Sequence, residues 1–337
     1  MKTSAFTSLL SSAALGLALA VTGLAAHVDA SAATTTAQKS KRTVATSVRK
    51  TKPVSRVRKA VVVVPAVATF GQLSGLHAVD DPLDLKSGVA LVMDQDTNEV
   101  LLSKNPEAVL PIASITKLMT GLVVLEAHQP MDEKIEITDD DKDTLKHTYS
   151  RLRPGTVLTR EELLHLALMA SENSAAHALA RNYPGGLEAA IAAMNQKAQS
   201  LGMTDTRYIE PTGLSSSNQS SAKDLAALVK VAHEQPMLRE FTTSKEASFM
   251  IGRREMAFHS TNGLVRSSDW DIGLQKTGFI NEAGKCLVMQ AQMYGRKLIM
   301  VFLDATGKTA RIADAERVRK WLANASPMAA VHQPKLN

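Results

Sequence analysis

One cysteine, Cys286, occurs in 337 residues, so the chain can form no internal disulfide. It lies in an apolar, strand-like run, Cys286-Leu-Val-Met-Gln-Ala-Gln-Met, and reads as a buried, inert thiol rather than a nucleophile. The nine histidines are scattered. No Cys/His cluster has metal-ligand spacing and no H-E-x-x-H is present, so no structural metal is expected. Beyond the first thirty residues no stretch approaches the roughly 18 uninterrupted apolar residues that span a bilayer. Internal repeats are absent. Acids are absent too from the whole stretch between Ala30 and Val79.

That last absence divides the chain. Residues 1–30 carry Lys2, then an apolar core around Leu15-Gly-Leu-Ala-Leu-Ala-Val21, then small residues at Val28-Asp-Ala30. This is the pattern of a secretory signal, with a membrane anchor as the alternative; Ser8, Ser11, Ser12 and Thr22 favour cleavage. Residues 31–83 form a basic, low-complexity arm. Its nine cations are Lys39, Lys41, Arg42, Arg49, Lys50, Lys52, Arg56, Arg58 and Lys59. The formal net charge of +6 is therefore a property of the arm: without Lys2, the nine cations and Asp29, the remainder holds 29 cations against 32 acids, a net of −3. Such a block is a solvated arm that can hold anionic wall polymer or a membrane surface. Nucleic acid is a poor partner for an exported chain. Val61-Val-Val-Val64 reads as a short strand or a linker.

Residues 84–325 are long enough for one large domain, with 326–337 as a tail. Ser87-Gly-Val-Ala-Leu-Val-Met-Asp94 and Glu99-Val-Leu-Leu-Ser103 predict a hairpin turning at Asp96-Thr-Asn98. Residues 114–127 predict a helix apolar nearly all round, hence buried. Further helices are predicted over 160–169, 174–181, 187–201 and 222–234. Strands return after about residue 244, with 274–277, 286–294 and 297–304 as distinct runs, and a last helix covers 309–323. Strands at both ends with helices between predict an α+β fold: an antiparallel sheet built from both ends of the domain, flanked by helices, with an inserted helical subdomain.

Three short motifs then stand out in order: Ser114-Ile-Thr-Lys117, Ser171-Glu-Asn173 and Lys276-Thr-Gly278. A serine and a lysine three apart on a helix share a face. Serine needs a base, and lysine can serve only when neutral, which burial, the positive helix start and a second cation, Lys276, all favour. Ser171 and Asn173 fall at a break between helices. Ser171 can relay a proton to a leaving amine. Asn173 can accept from Lys117 and donate to a substrate carbonyl. By itself Ser171-Glu-Asn173 also reads as a helix cap, with Glu172 pointing outward. Lys276, Thr277 and Gly278 lie on a predicted strand whose edge can pair with a peptide. Lys276 brings positive charge, Thr277 a hydroxyl for a carboxylate, and Gly278 room for close backbone approach. The N–H groups of Ser114 and Phe279 are candidate oxyanion donors. Glu210, in Tyr208-Ile-Glu-Pro-Thr-Gly-Leu214, could be a deacylating carboxylate; with no E-x-x-L-N following, a structural turn is the preferred reading.

These residues resemble the low-molecular-mass penicillin-binding proteins, the D-alanyl-D-alanine carboxypeptidase and endopeptidase group. The likeness runs through Pro111-Ile-Ala-Ser-Ile-Thr-Lys-Leu-Met-Thr120, Ser171-Glu-Asn-Ser-Ala-Ala176, Glu210-Pro-Thr-Gly-Leu214, Ser220-Ser-Ala-Lys-Asp-Leu225 and Lys276-Thr-Gly-Phe-Ile-Asn-Glu-Ala-Gly284. His259-Ser-Thr-Asn262, Lys276-Thr-Gly-Phe279 and the short C-terminal tail resemble the endopeptidase branch, the penicillin-binding protein 7 type. The resemblance implies a β-lactamase/transpeptidase-like fold, an acyl-enzyme on Ser114, no cofactor, peptidoglycan stem peptides as substrate and β-lactams as covalent inhibitors. The alternatives are a D,D-carboxypeptidase on pentapeptide stems, a serine β-lactamase, and a non-catalytic wall-binding protein. No arginine is placed by the sequence to receive a substrate carboxylate.

Overall fold

The computed structural model describes residues 67–325; the segment expected to be a signal, most of the expected basic arm and the tail from 326 lie outside the described residues. A five-stranded antiparallel sheet organises the body. Its spatial order is Val100–Lys104, Ser87–Asp94, Arg296–Ala305, Gly284–Met293, Asp271–Ile280. The first two strands thus come from one end of the domain and the last three from the other, as expected.

Both faces of this sheet are covered, and the alternation of side chains decides which core each residue joins. Val89, Leu91, Val288, Val301 and Leu303 face the larger core, which they share with the helices 116–126, 160–165, 173–181 and 222–232. Ala90, Val92, Met289, Met300 and Phe302 face the C-terminal helix Ala310–Ala325, meeting Ala315, Val318 and Leu322. With both faces dry, the strands read as near-continuous apolar runs rather than as alternating ones.

The helical insert follows its sequence signals. Thr159 and Glu162 form a reciprocal capping box at the start of Arg160–His165. Ser221 caps Ala222–Ala232 through the Asp224 N–H. Thr116–Glu126 is buried at every position from 116 to 124, which makes it the axis of the larger core. The reading missed the helix Pro236–Thr243; it expected strands after about residue 244, which the hairpin Glu246–Ile251 with Arg254–His259 supplies, without delimiting that pair.

Two local expectations need correction. Ser114 lies not in the α-helix but in a 3-10 turn, Ala113–Ile115, because Ala113 has a left-handed φ of 48° and the α-helix starts only at Thr116. Residues 69–78, placed within the arm, instead pack on the sheet: Thr69 donates to Asp304 at 2.8 Å, His77 Nε2 lies 3.1 Å from the same carboxylate, and Phe70 N–H bonds to the Glu282 carbonyl.

Candidate active site

The site forms where the two halves of the domain meet. Strand Asp271–Ile280 is an edge strand, paired among the described residues only with Gly284–Met293, and the face that carries Gly278 packs against the turn that holds Ser114. That turn is wedged between two glycines. A Cβ on Gly278 would lie 2.9 Å from the Ile112 carbonyl and 3.1 Å from Ser114 N. A Cβ on Gly213, whose φ is 83°, would lie 1.9 Å from the Ala113 carbonyl oxygen. Only residues without side chains let the strand and the 210–214 loop close on the serine from both sides.

Lys117 sits one turn below Ser114 and is 1 % exposed. Its amine lies 3.0 Å from Ser114 Oγ, 2.7 Å from Asn173 Oδ1 and 2.6 Å from the Thr212 carbonyl. All three neighbours are neutral oxygens. Burial pushes its pKa down to about 8, against the opposing pull of Glu210, Glu172 and Asp143. Lys276 is fully buried, donating to Ser171 Oγ at 2.8 Å and to the Thr277 carbonyl at 2.8 Å. Burial, then the Lys117 charge, then Arg311 drive its pKa well below the usual lysine value.

The five polar groups expected in the site therefore converge: Ser114, Lys117 and Asn173 in one set of bonds, Ser171 and Lys276 in another. Ser171 closes a π-turn, Leu166–Ala170, in a left-handed conformation with φ 61°. Glu172, not Ser171 or Asn173, is the N-cap of Asn173–Arg181, and no side chain caps that helix. The motif does span a helix start, without a side-chain cap bond, and the Ser171 and Asn173 side chains face the lysines instead. Glu172 does not point outward: its carboxylate accepts from Ser150 Oγ at 2.9 Å and pairs with Arg151 at 3.5 Å.

Thr277 Oγ1 lies 2.6 Å from Thr261 Oγ1, which places His259-Ser-Thr-Asn262 beside the third motif. The Phe279 ring turns outward, 53 % exposed, with the Lys285 ammonium 3.9 Å from its centroid. Cys286 is fully buried and burial pushes its thiol up to about 12, consistent with an inert thiol. Among the described residues no group of three or more His, Cys, Asp or Glu is arranged to hold a metal ion.

Glu210 braces a turn. Its carboxylate accepts from the N–H groups of Thr212 at 2.7 Å and Gly213 at 2.6 Å, and from Asn218 Nδ2 at 3.0 Å. The turn it holds presents the Thr212 carbonyl to Lys117. Sequence reasoning missed Thr212 because a backbone carbonyl has no residue signature; the only clue was the 210–214 motif itself. It also placed no arginine near the site, and the structure supplies one. Arg311 of the C-terminal helix donates to the Gly278 carbonyl at 2.9 Å, and its buried Nε finds no partner among the described residues.

The architecture has known counterparts. A DD-transpeptidase of Streptomyces K15 superposes with a TM-score of 0.66 at 27 % identity, covering 72 % of this chain and 98 % of that one. The D-alanyl-D-alanine endopeptidase of Pseudomonas aeruginosa is 48 % identical over 241 residues, 71 % of this chain and 78 % of the relative. That of Escherichia coli is 45 % identical over the same shares. Residues 76–307 match the model of the D-alanyl-D-alanine carboxypeptidase family, peptidase S11, and they include every side chain in the hydrogen-bonded constellation around Ser114. With that match and those identities, the chain belongs to this serine-peptidase family.

Proposed function

We propose that the protein is a serine D,D-peptidase that cuts D-alanyl bonds of peptidoglycan, as an endopeptidase on cross-links, through an acyl-enzyme on Ser114. One observation carries the reading: a buried lysine amine 3.0 Å from Ser114 Oγ, with no carboxylate partner and a pKa lowered to about 8. A neutral amine has two protons and one lone pair. Asn173 Oδ1 and the Thr212 carbonyl take the two protons, so the lone pair faces the Ser114 hydroxyl. Lys117 is then the base that takes the hydroxyl proton as Ser114 attacks the D-alanyl carbonyl. The N–H groups of Ser114 and Phe279 receive the developing oxyanion, brought close by Gly278. Ser171 hands its proton to the leaving amine as it takes one from the Lys276 ammonium that donates to it, and water later releases the acyl group and returns the protons to the site.

The substrate lies along the open edge of Asp271–Ile280, with Thr277 and Lys276 at its carboxylate end. Endopeptidase rather than carboxypeptidase action rests on the relatives: those named endopeptidase reach 48 % and 45 % identity, whereas carboxypeptidases of Bacillus subtilis and Escherichia coli stand at 31 % and 32 %. β-Lactams would acylate Ser114 in place of substrate. The N-terminal signal reading supports export to the periplasm, and the basic arm would tether the enzyme to anionic wall polymer or membrane surface.

Mass analysis of muropeptides tests this. Cross-linked dimers should fall and monomers rise, and Ser114→Ala should abolish both this change and penicillin labelling. Trimming of pentapeptides with dimers intact would make the enzyme a carboxypeptidase. Rapid penicillin turnover would make it a β-lactamase. Binding to sacculi with neither cutting nor labelling would leave a wall-binding protein.

A further inference from the structure

Asn173 has one side-chain oxygen and two N–H donors, and the site works only with the oxygen toward Lys117. Nothing in the Ser171-Glu-Asn173 motif fixes that orientation. The structure supplies the missing constraint from a loop outside all three motifs. Asn173 Nδ2 donates to Thr148 Oγ1 at 2.9 Å. The Thr148 hydroxyl in turn donates to Asp143 Oδ2 at 2.6 Å.

The direction of each bond follows from the last group in the chain. An ionised Asp143 can only accept. It draws the single Thr148 hydroxyl proton toward itself, and so leaves only lone pairs facing Asn173. Asn173 must then turn its NH2 toward Thr148 and its oxygen toward Lys117. Flipping the amide would set an oxygen against the Thr148 oxygen and NH2 against the lysine N–H. One Nδ2 proton remains for a substrate carbonyl.

The loop is built to hold Thr148 there. Asp143 also accepts from the N–H groups of Leu145 at 2.8 Å, Lys146 at 2.9 Å and Thr148 at 2.8 Å, which ties the loop into a knot around the carboxylate. Lys146 then crosses to the sheet side and pairs with Glu282 at 2.5 Å, in the turn just beyond strand Asp271–Ile280. Both of these side chains are about one-third exposed, so the pair alone is weak. Its contribution is geometric: it joins the loop that orients Asn173 to the end of the strand that carries Lys276.

Resting on the peptidase reading, we propose that Thr148 is a positioning residue of the acylation step, orienting the Asn173 amide with Asp143 as its anchor. Thr148 touches neither Ser114 nor Lys117 and acts through Asn173 alone.

The test is the acylation rate of full-length protein by benzylpenicillin, measured for the wild type, Thr148→Val, Thr148→Ser and Asn173→Ala, and for the Thr148→Val/Asn173→Ala double variant. Valine keeps the shape and removes the hydroxyl. It should slow acylation about five- to tenfold, the worth of one oriented hydrogen bond. Serine keeps the hydroxyl and should stay within about twofold of wild type, because the bond at issue is unchanged. In the Asn173→Ala background, Thr148→Val should add no further loss, since the group it orients is gone. Normal acylation by Thr148→Val, failure of serine to rescue, or full additivity in the double variant would each overturn the inference while leaving the peptidase reading intact. If the wild type itself forms no penicillin adduct, the peptidase reading fails and this inference with it.

Discussion

Lys104 and Lys117 are both almost fully buried, yet their surroundings differ in one respect. Lys104, on the second strand, meets the carboxylate of Asp81 at 3.0 Å and the Leu85 carbonyl at 3.3 Å. Lys117 meets three uncharged oxygens and no carboxylate within bonding distance. Arg160, also buried, again has an acid beside it, Glu133. At the periphery, then, this protein buries cations in pairs, as the cost of desolvating a charge demands. In the cleft it buries two lysines, 117 and 276, with neutral partners. The first arrangement holds structure. The second lowers a pKa and makes an amine available as a base.

The comparison breaks most sharply at Lys117. Arginine keeps the charge but stays protonated at any usable pH. Lys117→Arg should therefore lose about a hundredfold or more of acylation rate, the scale of general-base catalysis. In the wild type the acylation rate should rise with pH through about 8, as the neutral amine becomes populated. Near-normal acylation by the arginine variant would show that Lys117 serves only as a positive charge.

Lys104→Met should do the reverse. It strands Asp81 without its ammonium, although Asp81 keeps the N–H donors of Leu83 and Leu85. A loss of about 2 kcal/mol is expected, below the usual cost of breaking a buried pair. Thermal unfolding would read the loss, and penicillin acylation of the folded protein should stay within about twofold of wild type, since Lys104 bonds to no group of the site. A stable variant with damaged chemistry would erase the distinction between the two lysines.

A smaller effect belongs to Asp141, buried against His177 and Arg181. Burial raises its pKa, but bonds from His177, Arg181 and the Thr138 N–H outweigh it and bring the value from 3.8 to about 2. A lowered carboxylate pKa contributes stability above the unfolded value, and that contribution disappears as pH falls through the folded one. Asp141→Asn should thus be less stable than wild type at neutral pH, and the gap should narrow between pH 3.8 and about 2. A gap that stays constant over that range would mean that the carboxylate's charge is not what stabilises this corner.

Sequence patterns were most legible where structure is local. The strands Ser87–Asp94 and Arg296–Ala305 stand out as apolar runs between turn residues, and buried Thr116–Glu126 as a helix with no polar face. Glu210 reads as a turn residue because no E-x-x-L-N pattern follows it, and its carboxylate does hold a turn. Legibility failed where a neighbour distant in sequence decides the outcome. Glu172 turns inward because Ser150 and Arg151 are there to meet it. Residues 69–78 pack rather than remain in the arm because Asp304 offers a buried carboxylate to Thr69 and His77.

By itself the sequence determined which chemistry was available: a serine and a lysine three residues apart, a second serine with an asparagine, and a lysine on a strand. Helical and extended geometry fix such short spacings without help from the rest of the chain. Only the tertiary structure decided what these groups do to one another. Asn173, the Thr212 carbonyl and the Ser171–Lys276 pair are assembled across separations of 56, 95 and 105 residues. The environment that lowers the Lys117 pKa is a property of that assembly, because desolvation depends on what surrounds the amine once the two halves of the domain have closed over it.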